Sequence, residues 1–439
     1  MKFFDRKSEI AALREIRAKS EVNAQFTVVT GRRRVGKTQL IKAAMGDSPY
    51  LYFYVGRKSE KVLCSGYQQQ MHEVLGVPTI GTAEQVEDLL KVVFEISTKN
   101  PVTVVFDEFQ EFYRVNPSVF SSLADLWDDY EKRAKLNLIV CGSVNRLMSR
   151  IFRDDAEPLY GRNTNMLRVD PFKVSVLKEI LATYKPTYDP DDLLALWTFT
   201  GGVARYVQHL MDAGAYDRES MIKYIFRDGS PFLDEGLMIL VQEFGKDYGI
   251  YFSILSAIAA GATEHSQIKN EVGTDVGTFL ARLEDDYSLI SRKLPIFNDT
   301  KGKNSHYQID DCFFRFWFRF VYKYQYLVEL GRFDQLQNIV RRDFDMFSGF
   351  ALERYFRWKF QEDTEYTRMD AWWDRKGENE IDLVCDDEFN GRLDFHEIKR
   401  EADRIDLKML EQKARSFFIK HPELSSRKAS YMGLSMDDM

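Results

Sequence analysis

The feature that most constrains this chain is a glycine-rich loop between a strand-like run and a helical run. The β-rich residues Gln25–Thr30 lead into Gly31-Arg32-Arg33-Arg34-Val35-Gly36-Lys37-Thr38, and a helical pattern runs from Gln39 to Met45. In such a loop the backbone N–H groups can surround phosphate oxygens, and the following helix adds the positive end of its dipole. The lysine suits the β- and γ-phosphates of a nucleotide, and the threonine hydroxyl suits Mg²⁺. We therefore predict that residues 31–39 bind ATP, with Thr38 as a ligand of Mg²⁺.

Residues 1–170 alternate between strand-like and helical runs. Further strands are predicted at Tyr50–Val55, Pro101–Phe106, Asn137–Cys141 and Met166–Val169, and helical patterns fill most of the intervals, notably Val119–Arg133. Parallel strands joined by helices form a sheet whose two faces are both covered. The predicted fold class is therefore α/β, with a parallel sheet in this part of the chain.

Two acidic residues follow an apolar strand, and a serine follows the next one. The run from Val102 ends in Asp107 and Glu108, and the run to Cys141 is followed by Ser143. We predict that Asp107 holds Mg²⁺ and that Glu108 orients and deprotonates the attacking water as a general base. The alternative is an ordinary acidic turn at a strand end. Ser143 is a candidate sensor of the γ-phosphate or the water, and its alternative role is the N-cap of a helix from Val144 onward.

Several short motifs together resemble those of the archaeal-type ATPases in the AAA+/STAND group of P-loop proteins. They are the glycine loop, Phe4-Asp5-Arg6-Lys7-Ser8-Glu9, Phe106-Asp107-Glu108-Phe109-Gln110, Cys141-Gly142-Ser143 and Leu159-Tyr160-Gly161-Arg162. The resemblance implies that the segment from Phe4 lies near the adenine. It also implies that Arg162, with Arg150 and Arg153 as rivals, contacts the γ-phosphate, either in its own chain or in a neighbouring copy of a homo-oligomer. The alternative for Arg162 is an ordinary surface arginine.

Residues 171–311 have a mainly helical pattern. We assign 171–247 to a helical lid, in which Gly201-Gly202-Val203-Ala204 resembles the lid motif of the same family with alanine in place of its proline. Residues 248–311 resemble a winged helix, with helices at Tyr251–Ala260, Ser266–Val272 and Asp275–Tyr287 and a two-stranded wing within Leu289–Gln308. Such a module can place one helix in the DNA major groove, although phosphate would repel the acidic residues 284–286. Lys301 and Lys303 are among the basic residues that would offset this repulsion, so DNA binding and protein packing both stay open.

Residues 346–439 contain a second set of acidic residues, after a connecting aromatic-rich helix at 312–345. Glu353 is on a predicted helix, Asp382 is in one strand-like run, and Glu397 and Lys399 are in the next. On adjacent strands Asp382 and Glu397 would converge on one Mg²⁺, which would activate a water for attack on a phosphate, with Lys399 on the same strand face. The element order and the D…E-x-K pattern resemble the PD-(D/E)XK nucleases, an α/β restriction-endonuclease-like fold. The alternative is a surface ladder of salt bridges.

Composition bears on where the protein works. The net charge of −7 and the pI of about 5.6 argue against a uniformly basic nucleic-acid binder but leave room for local basic patches. Four widely spaced cysteines offer neither a metal-ligand pair nor a disulfide framework, which fits a reducing cytoplasm. The start of the chain is charged, unlike a signal peptide, and no apolar run approaches the ~20 residues of a membrane span. We therefore expect a cytoplasmic protein without a membrane segment.

Two functional hypotheses are open at this point. In the first, an ATP-hydrolysing domain controls a DNA-binding winged helix and a Mg²⁺-dependent nuclease domain. In the second, the nucleotide switches assembly or signalling, and the C-terminal domain is a binding module without catalytic activity. The complete D…E-x-K set favours the first hypothesis, and the acidic pI favours the second.

Overall fold

The computed structural model describes residues 1–78, 81, 83–143, 145–245, 248–298, 305–362, 366–374 and 377–439, without the side chains of residues 145, 146, 243 and 286. Its contacts divide the chain into two compact units, which are Asp5–Asp170, and Pro171–Met439 together with Met1–Phe4. Val144, Lys301 and Lys303, which enter the predictions above, lie outside the described residues.

The unit Asp5–Asp170 is a parallel sheet between helices. Its strands are β1 Gln25–Thr30, β2 Leu51–Tyr54, β3 Val102–Asp107, β4 Leu136–Cys141 and β5 Asn165–Arg168. Its helices are α1 Lys7–Ser20, α2 Lys37–Met45, α3 Glu60–Leu75, α4 Val86–Ser97, α5 Phe112–Val115, α6 Ser118–Tyr130 and α7 Asn145–Arg153. The strands lie in the order β2-β3-β4-β1-β5, and each pairing is parallel. The predicted α/β class with a parallel sheet is confirmed.

The central strands of this sheet are apolar because both of their faces are covered. Every residue of β3 and β4 is buried. Val28 packs in an apolar cluster on one face and its neighbour Val29 in a cluster on the other, as the alternation of side chains along a strand requires. Because the strands are parallel, their carboxyl ends meet at one edge of the sheet, and the segments that begin with Gly31 and Glu108 leave from that edge.

The unit from Pro171 begins with a series of helices. They are α8 Val174–Tyr184, α9 Pro190–Thr200, α10 Ala204–Asp212, α11 Arg218–Ile225, α12 Pro231–Phe244, α13 Tyr248–Ala259, α14 His265–Val272 and α15 Gly277–Ala281, the last continued by a π-helical turn to Asp286. An antiparallel hairpin of β6 Ile290–Lys293 and β7 His306–Ile309 follows. None of the described helices has the length and apolar character that crossing a membrane requires.

The aromatic-rich segment after β7 is a succession of short turns. It consists of α16 Cys312–Phe316, a π-helical turn Trp317–Val321, a 3-10 turn Tyr322–Tyr324 and α17 Gln325–Glu329. Helix α18 then runs without a break from Phe333 to Glu362 and has buried residues along its whole length, from Leu336 to Phe356. The domain boundary predicted between residues 345 and 346 therefore lies inside α18 and needs correction, because one helix packs in both regions.

The last part of the chain forms a mixed sheet. Its strands are β8 Arg368–Trp373, β9 Glu380–Asp387, β10 Arg392–Ile398 and β11 Lys428–Leu434, in the order β11-β10-β9-β8. The pairs β8–β9 and β9–β10 are antiparallel, and β10–β11 is parallel. Helix α19, Leu407–Lys420, covers one face, where the Phe417 ring lies 5.2 Å from that of Phe395. Helix α18 covers the other face, where the Phe360 ring lies 5.2 Å from that of His396.

The hairpin β6–β7 is joined to the edge of this sheet. Ile296 donates its backbone N–H to the carbonyl of Ala371 at 2.9 Å and packs in the same apolar cluster as Trp372. Lys293 Nζ lies 3.8 Å from a carboxylate oxygen of Asp370. The described part of the hairpin and the residues just after β6 therefore pack against β8 of the same chain. This favours a role in protein packing over insertion of the hairpin into a DNA groove.

Candidate functional site

The loop between β1 and α2 is shaped by residues with positive φ. Gly31 has a φ of 148°, and a methyl group added to it would collide with the carbonyl oxygen of Val169. Arg34 and Gly36 have φ angles of 72° and 96°, and the intervening Val35 is buried. Glycine adopts such angles without steric cost, which explains its presence at the two ends of the turn. The loop thus brings the first backbone N–H groups of α2 to the carboxyl edge of the sheet.

Lys37 begins α2 and folds back over the loop. Its Nζ donates hydrogen bonds to the carbonyl oxygens of Gly31 at 2.8 Å and Arg32 at 3.0 Å. Burial lowers the pKa of Lys37, although the carboxylates of Glu108 and Asp107 act in the opposite direction. The positive charge of Arg33 lies close enough to affect Lys37, and Gln39 is exposed in the first turn of the helix. Both of these hydrogen bonds of the Lys37 ammonium group are thus made to uncharged backbone carbonyls of the loop.

Asp107, the last residue of β3, is held by neutral donors. Its Oδ2 accepts hydrogen bonds from the hydroxyl of Thr38 at 2.9 Å and from the hydroxyl of Tyr52. Its Oδ1 accepts one from the thiol of Cys141 at 2.9 Å and one from the backbone N–H of Glu108 at 2.9 Å. Burial and the Asp107 carboxylate raise the pKa of the Tyr52 hydroxyl, so this group stays protonated and donates. These contacts orient the carboxylate without cancelling its charge.

Glu108 has a strained backbone and a side chain held at two points. Its φ of 55° and ψ of 42° lie in the left-handed region, which is uncommon for a residue with a side chain and costs of order 1–3 kcal/mol. Ser143 Oγ donates to its carboxylate oxygens at 3.0 and 3.2 Å, and Gln110 Nε2 donates at 2.5 Å. Strain of this kind persists where the surroundings impose it, and it is frequent at functional sites.

The groups at this edge of the sheet fit a nucleotide phosphate and Mg²⁺. Thr38 and Asp107 offer hard oxygen ligands that lie 2.9 Å apart. Lys37 and the N-terminus of α2 offer positive charge to phosphate oxygens. Thr38 and Asp107 would therefore hold the ion, whose contribution when bound is to neutralise charge on the phosphates.

Three residues of this site are not among the predicted ones: Tyr52, Gln110 and Cys141. Cys141 lies opposite Asp107 in the pairing of β3 with β4, and Tyr52 lies on β2, the other neighbour of β3. The contacts of Cys141 and Tyr52 with Asp107 depend on the strand order, which the alternation of strands and helices does not determine. Gln110, in contrast, is only two residues from Glu108, which it contacts. In the sequence, such residues could be found only as polar side chains close to the carboxyl end of a predicted strand.

Arg162 lies at the opposite edge of the sheet from the loop. It precedes β5, and the nearby Thr164 donates its backbone N–H to the carbonyl of Phe26 at the start of β1, at 2.9 Å. Roughly 16 Å of extended strand separates Phe26 from Gly31. The guanidinium of Arg162 binds both carboxylate oxygens of Asp128, at 2.9 and 2.6 Å. The predicted contact with a γ-phosphate in its own chain is therefore corrected, and a contact in a neighbouring copy stays a prediction.

The two rival arginines of α7 are also engaged away from the loop. Arg150 Nε donates to a carboxylate oxygen of Glu157 at 2.5 Å, and Arg153 donates to the sulfur of Met166 at 3.2 Å. Within the described part of the chain, none of the three candidate arginines contacts the phosphate loop in this arrangement.

The carboxylates predicted near the end of the chain lie where β9 pairs with β10 in the second sheet. His396 pairs with Leu383 in the β9–β10 register, so Glu397 and Asp382 are the next neighbours along the two strands. Asp382 Oδ2 accepts hydrogen bonds from the backbone N–H of Ile398 at 2.8 Å and from Lys399 Nζ at 3.1 Å. Lys399 Nζ also lies 3.6 Å from Glu397. The structure thus brings Asp382, Glu397 and Lys399 together.

Lysine side chains already neutralise these carboxylates. Although burial acts in the opposite direction, the carboxylates of Asp382 and Glu397 raise the pKa of Lys399. A second ammonium group, that of Lys413, lies 3.9 Å from Glu397. The oxygen ligands suit Mg²⁺ chemically, but a bound ion would have to take over the contacts of Lys399.

Glu353 faces this group from α18. Burial and the charge of Asp382 and Glu380 raise its pKa to about 8. Nevertheless, among the described residues, no three His, Cys, Asp or Glu side chains are grouped closely enough to hold a metal ion. The predicted cluster is therefore present as a pair of carboxylates bridged by a lysine, with Glu353 near it.

Comparisons with known proteins agree with the geometry of the first unit. Residues 3–210 match the model of an ATPase domain found predominantly in Archaea, and residues 317–416 match a domain of unknown function from archaeal and bacterial proteins. An uncharacterized protein of Methanocaldococcus jannaschii is 28% identical over 407 residues, which are 90% of this chain and 87% of that protein.

Two solved structures are similar in fold. A Walker-type ATPase of Pyrococcus abyssi has a TM-score of 0.54 and 19% identity, with 72% of this chain and 96% of that chain covered. The ORC2 protein of Aeropyrum pernix, in its ADPNP–ADP complexes, has a TM-score of 0.51 and 15% identity, with 77% and 95% covered. Residues 3–210 thus match an ATPase domain that is found predominantly in Archaea, and the two solved structures are similar to this chain in fold.

Proposed function

We propose that the N-terminal domain hydrolyses ATP with Mg²⁺ and that Glu108 is the general base. One observation carries this proposal: Asp107 and Glu108 are adjacent but held for different tasks. Asp107 accepts a hydrogen bond from Thr38 at 2.9 Å, whereas Glu108 is turned toward Ser143, at 3.0 Å. The first contact suits an ion ligand, and the second suits a carboxylate that accepts a proton from water.

In this mechanism the residues of the loop bind and orient the triphosphate. Lys37 exchanges its contacts with loop carbonyls for phosphate oxygens, and the N–H groups at the start of α2 bind the same anion. Glu108 takes the proton of the attacking water, while Ser143 and Gln110 hold its carboxylate in place. Asp107 and Thr38 would hold Mg²⁺, and Tyr52 and Cys141 orient Asp107.

The substitution Glu108→Gln separates binding from hydrolysis. It keeps the size of the side chain but removes the base, so we expect hydrolysis to fall by about 10²–10⁴-fold with nucleotide affinity retained. Steady-state turnover and equilibrium binding of a fluorescent ATP analogue measure the two quantities. Glu73→Gln, at an exposed position of α3, is the matched control. Normal hydrolysis by the Glu108→Gln protein would show that the base is another group.

For the C-terminal domain we propose metal-dependent cleavage of DNA, with Asp382 and Glu397 as ion ligands and Lys399 orienting the water. The order of α18, three antiparallel strands, α19 and a parallel fourth strand supports a PD-(D/E)XK assignment, and the 3.1 Å contact between Lys399 and Asp382 supports a common site. Helices α13–α15 with the hairpin β6–β7 support a winged helix at 248–311, and α8–α12 support a lid at 171–247.

A second function is favoured by one specific observation. Lys399 and Lys413 already compensate the carboxylates, as they do in a structural ion-pair network. In this alternative the C-terminal domain is a binding module, and ATP binding switches its partner interactions.

A nuclease assay decides between the two functions. Single- and double-stranded DNA are incubated with the full chain, ATP, and Mg²⁺ or Mn²⁺, beside the variants Asp382→Asn and Asp403→Asn, the latter an exposed control before α19. Cleavage that Asp382→Asn abolishes and Asp403→Asn retains supports the nuclease. If the wild-type chain cuts no DNA and the Asp382→Asn variant still binds its partner in an ATP-dependent way, the C-terminal domain is a binding module and not a nuclease.

A homo-oligomer is also part of this proposal, because Arg162 does not contact the phosphate loop of its own chain. In such an oligomer, Arg162 of one copy would have to leave Asp128 of its own chain to reach the ATP site of the neighbouring copy. Mixing inactive Lys37→Ala and Arg162→Ala chains tests this, since mixed oligomers would contain one complete site. Recovery of hydrolysis on mixing supports a trans arginine, and a mixture as inactive as its components excludes it.

A further inference from the structure

A cavity in the unit from Pro171 is not used by either proposed activity. It has a volume of about 390 Å³ and opens between α12, α13 and the segment from α16 to α17. Cavities of ~300–1,000 Å³ with apolar walls are typical ligand sites. Its walls include Phe252, Trp317, Tyr322 and Val328. The cavity is therefore large enough to receive one or two apolar side chains of a ligand.

The floor of this cavity is a packed group of aromatic rings. The Phe252 ring meets Trp317 at 5.9 Å and Tyr322 at 4.3 Å between centroids, edge to face in both cases. Trp317 donates its indole N–H to the carbonyl of Leu233 at 2.9 Å, so its polar atom is satisfied inside the protein. Gly236 lets the indole lie against α12, since a methyl group there would collide with the ring. The floor offers a ligand a preformed apolar surface.

Apolar side chains extend this surface beyond the cavity. On α12, Leu237 is 39% exposed, Met238 43% and Val241 41%, and beyond the other wall Tyr326 is 57% and Leu330 68% exposed. Leu237 and Val241 are one helical turn apart and lie on one face of α12. Exposed apolar residues that flank a cavity mark binding surfaces, and their spread over two elements exceeds what a small molecule in the cavity would cover.

The charge at the rim is negative. Of the described residues that line the cavity, those charged at neutral pH are Asp234 and Glu329, and both are exposed. A ligand with apolar side chains for the cavity and basic side chains for the rim would complement both features.

We propose that this acidic groove, formed by Asp234, Leu237, Val241, Phe252, Trp317 and Glu329, binds a basic amphipathic helix of a partner protein. Apolar residues of such a helix at positions i and i+4 enter the cavity, and its lysines or arginines face Asp234 and Glu329. From Asp234 to Val241 the groove runs ~10 Å along α12, which matches about two turns of a docked helix. The proposal is independent of the ATPase and nuclease proposals.

The test uses two synthetic helical peptides of about 18 residues, long enough for a full amphipathic face. One has leucine on one face and lysine on the other, and its counterpart has glutamate in place of lysine. Fluorescence anisotropy of the labelled peptides is measured with the full chain at physiological ionic strength. We expect the leucine–lysine peptide to bind and the leucine–glutamate peptide not to bind. Failure of the leucine–lysine peptide to bind the wild-type chain would overturn the proposal.

A cavity-filling variant locates the binding. Gly249 lines the cavity in α13, and a methyl group added there would meet nothing within 4 Å, so we expect Gly249→Leu to place its side chain in the open space at the cavity wall. We expect about tenfold weaker peptide binding with an unchanged or higher Tm, because leucine is the better helix former. Gly66→Leu, at an equally open helical position of α3, is the matched control and should bind like wild type. Equal binding by both variants would place the peptide elsewhere.

Charge reversal tests the rim in the same assay. Asp234→Lys combined with Glu329→Lys should weaken binding by about tenfold, since each reversal replaces an attraction by a repulsion. Glu21→Lys combined with Asp129→Lys makes the same change in net charge at exposed positions of the ATPase domain. If both double variants lose affinity equally, the attraction is a property of the whole acidic protein, and the groove proposal fails.

Discussion

The two carboxylate sites of this chain both contain a lysine, but the lysines are used in opposite ways. At the ATPase site, Lys37 donates to the neutral carbonyls of Gly31 and Arg32, and Asp107 is held by hydroxyl, thiol and amide donors. At the C-terminal site, Lys399 lies 3.1 Å from Asp382 and 3.6 Å from Glu397. In the first site the positive and negative charges stay available, and in the second they neutralise each other.

This difference predicts how each site responds to charged ligands. A site whose charges are held by neutral groups gains the full attraction to phosphate and Mg²⁺ when these bind. A site whose carboxylates already have an ammonium partner must lose that ion pair before it gains a metal ion. The same residue types can therefore form a site whose charges are free to bind a ligand or a site whose charges cancel. The outcome depends on whether the lysine donates to backbone carbonyls or to the carboxylates.

Of the changes that test this comparison of the two lysines, Lys37→Ala is expected to have the largest effect. The variant removes the charge that is free to bind phosphate, and charge-assisted hydrogen bonds of this kind contribute ~1.5–3 kcal/mol each. We expect ATP affinity to fall by about 100-fold or more, measured by isothermal titration calorimetry. Lys42→Ala, at an exposed position of the same helix, should bind ATP like wild type. Equal losses in the two variants would mean that Lys37 acts on the stability of α2 rather than on the phosphate.

Whereas Lys37→Ala should weaken ligand binding at its site, Lys399→Met should strengthen metal binding at the C-terminal site. Without the ammonium, Asp382 and Glu397 repel each other, so the unfolding temperature should fall and added Mn²⁺ should restore it. Affinity of this site for Mn²⁺ should rise by about tenfold, consistent with ~1–1.5 kcal/mol for the lost competition. The measurement is electron paramagnetic resonance in an Asp107→Asn background, which silences the other site. Lys408→Met, at an exposed position of α19, is the control, and unchanged Mn²⁺ affinity in Lys399→Met would contradict the compensation argument.

The contrast between the sites also shows what the sequence can predict. Residues 31–38 and the strand before Asp107 are local patterns, and the parallel sheet follows from the alternation of strands and helices. The convergence of Asp382 with Glu397 follows from strand pairing. The hydrogen-bond partner of a long flexible side chain depends on the tertiary structure and not on the neighbouring sequence. The sequence therefore does not show that Lys37 donates to backbone carbonyls whereas Lys399 binds carboxylates. Likewise, Arg162 belongs to a motif that resembles one with a phosphate-binding arginine, but it lies at the far edge of the sheet, beside Asp128.

A smaller effect is expected from Tyr52→Phe, which removes one of the neutral donors to Asp107. A hydrogen bond to a charged carboxylate contributes ~1.5–3 kcal/mol, but Thr38 still donates to the same oxygen of Asp107, so only part of this orientation is lost. The Mg²⁺ concentration for half-maximal ATP hydrolysis should therefore rise by about fivefold. The maximal rate at saturating Mg²⁺ should change little, because Tyr52 orients the ligand of the ion and not the base. Tyr50→Phe, just before the same strand, is the matched control. A fall in the maximal rate without a change in Mg²⁺ dependence would assign Tyr52 to another step.

The smallest expected effect is that of Cys141→Ala. The thiol donates to Asp107 Oδ1 at 2.9 Å, but a thiol is a weak donor, and the backbone N–H of Glu108 donates to the same oxygen. Burial raises the pKa of this thiol, so it remains neutral and its loss changes no charge. The Mg²⁺ dependence of hydrolysis should therefore shift by about twofold, less than for Tyr52→Phe. Cys64→Ala, at a buried position outside the site, controls for the loss of packing. A larger shift for Cys141→Ala than for Tyr52→Phe would mean that Oδ1, and not the oxygen beside Thr38, is the one that binds the ion.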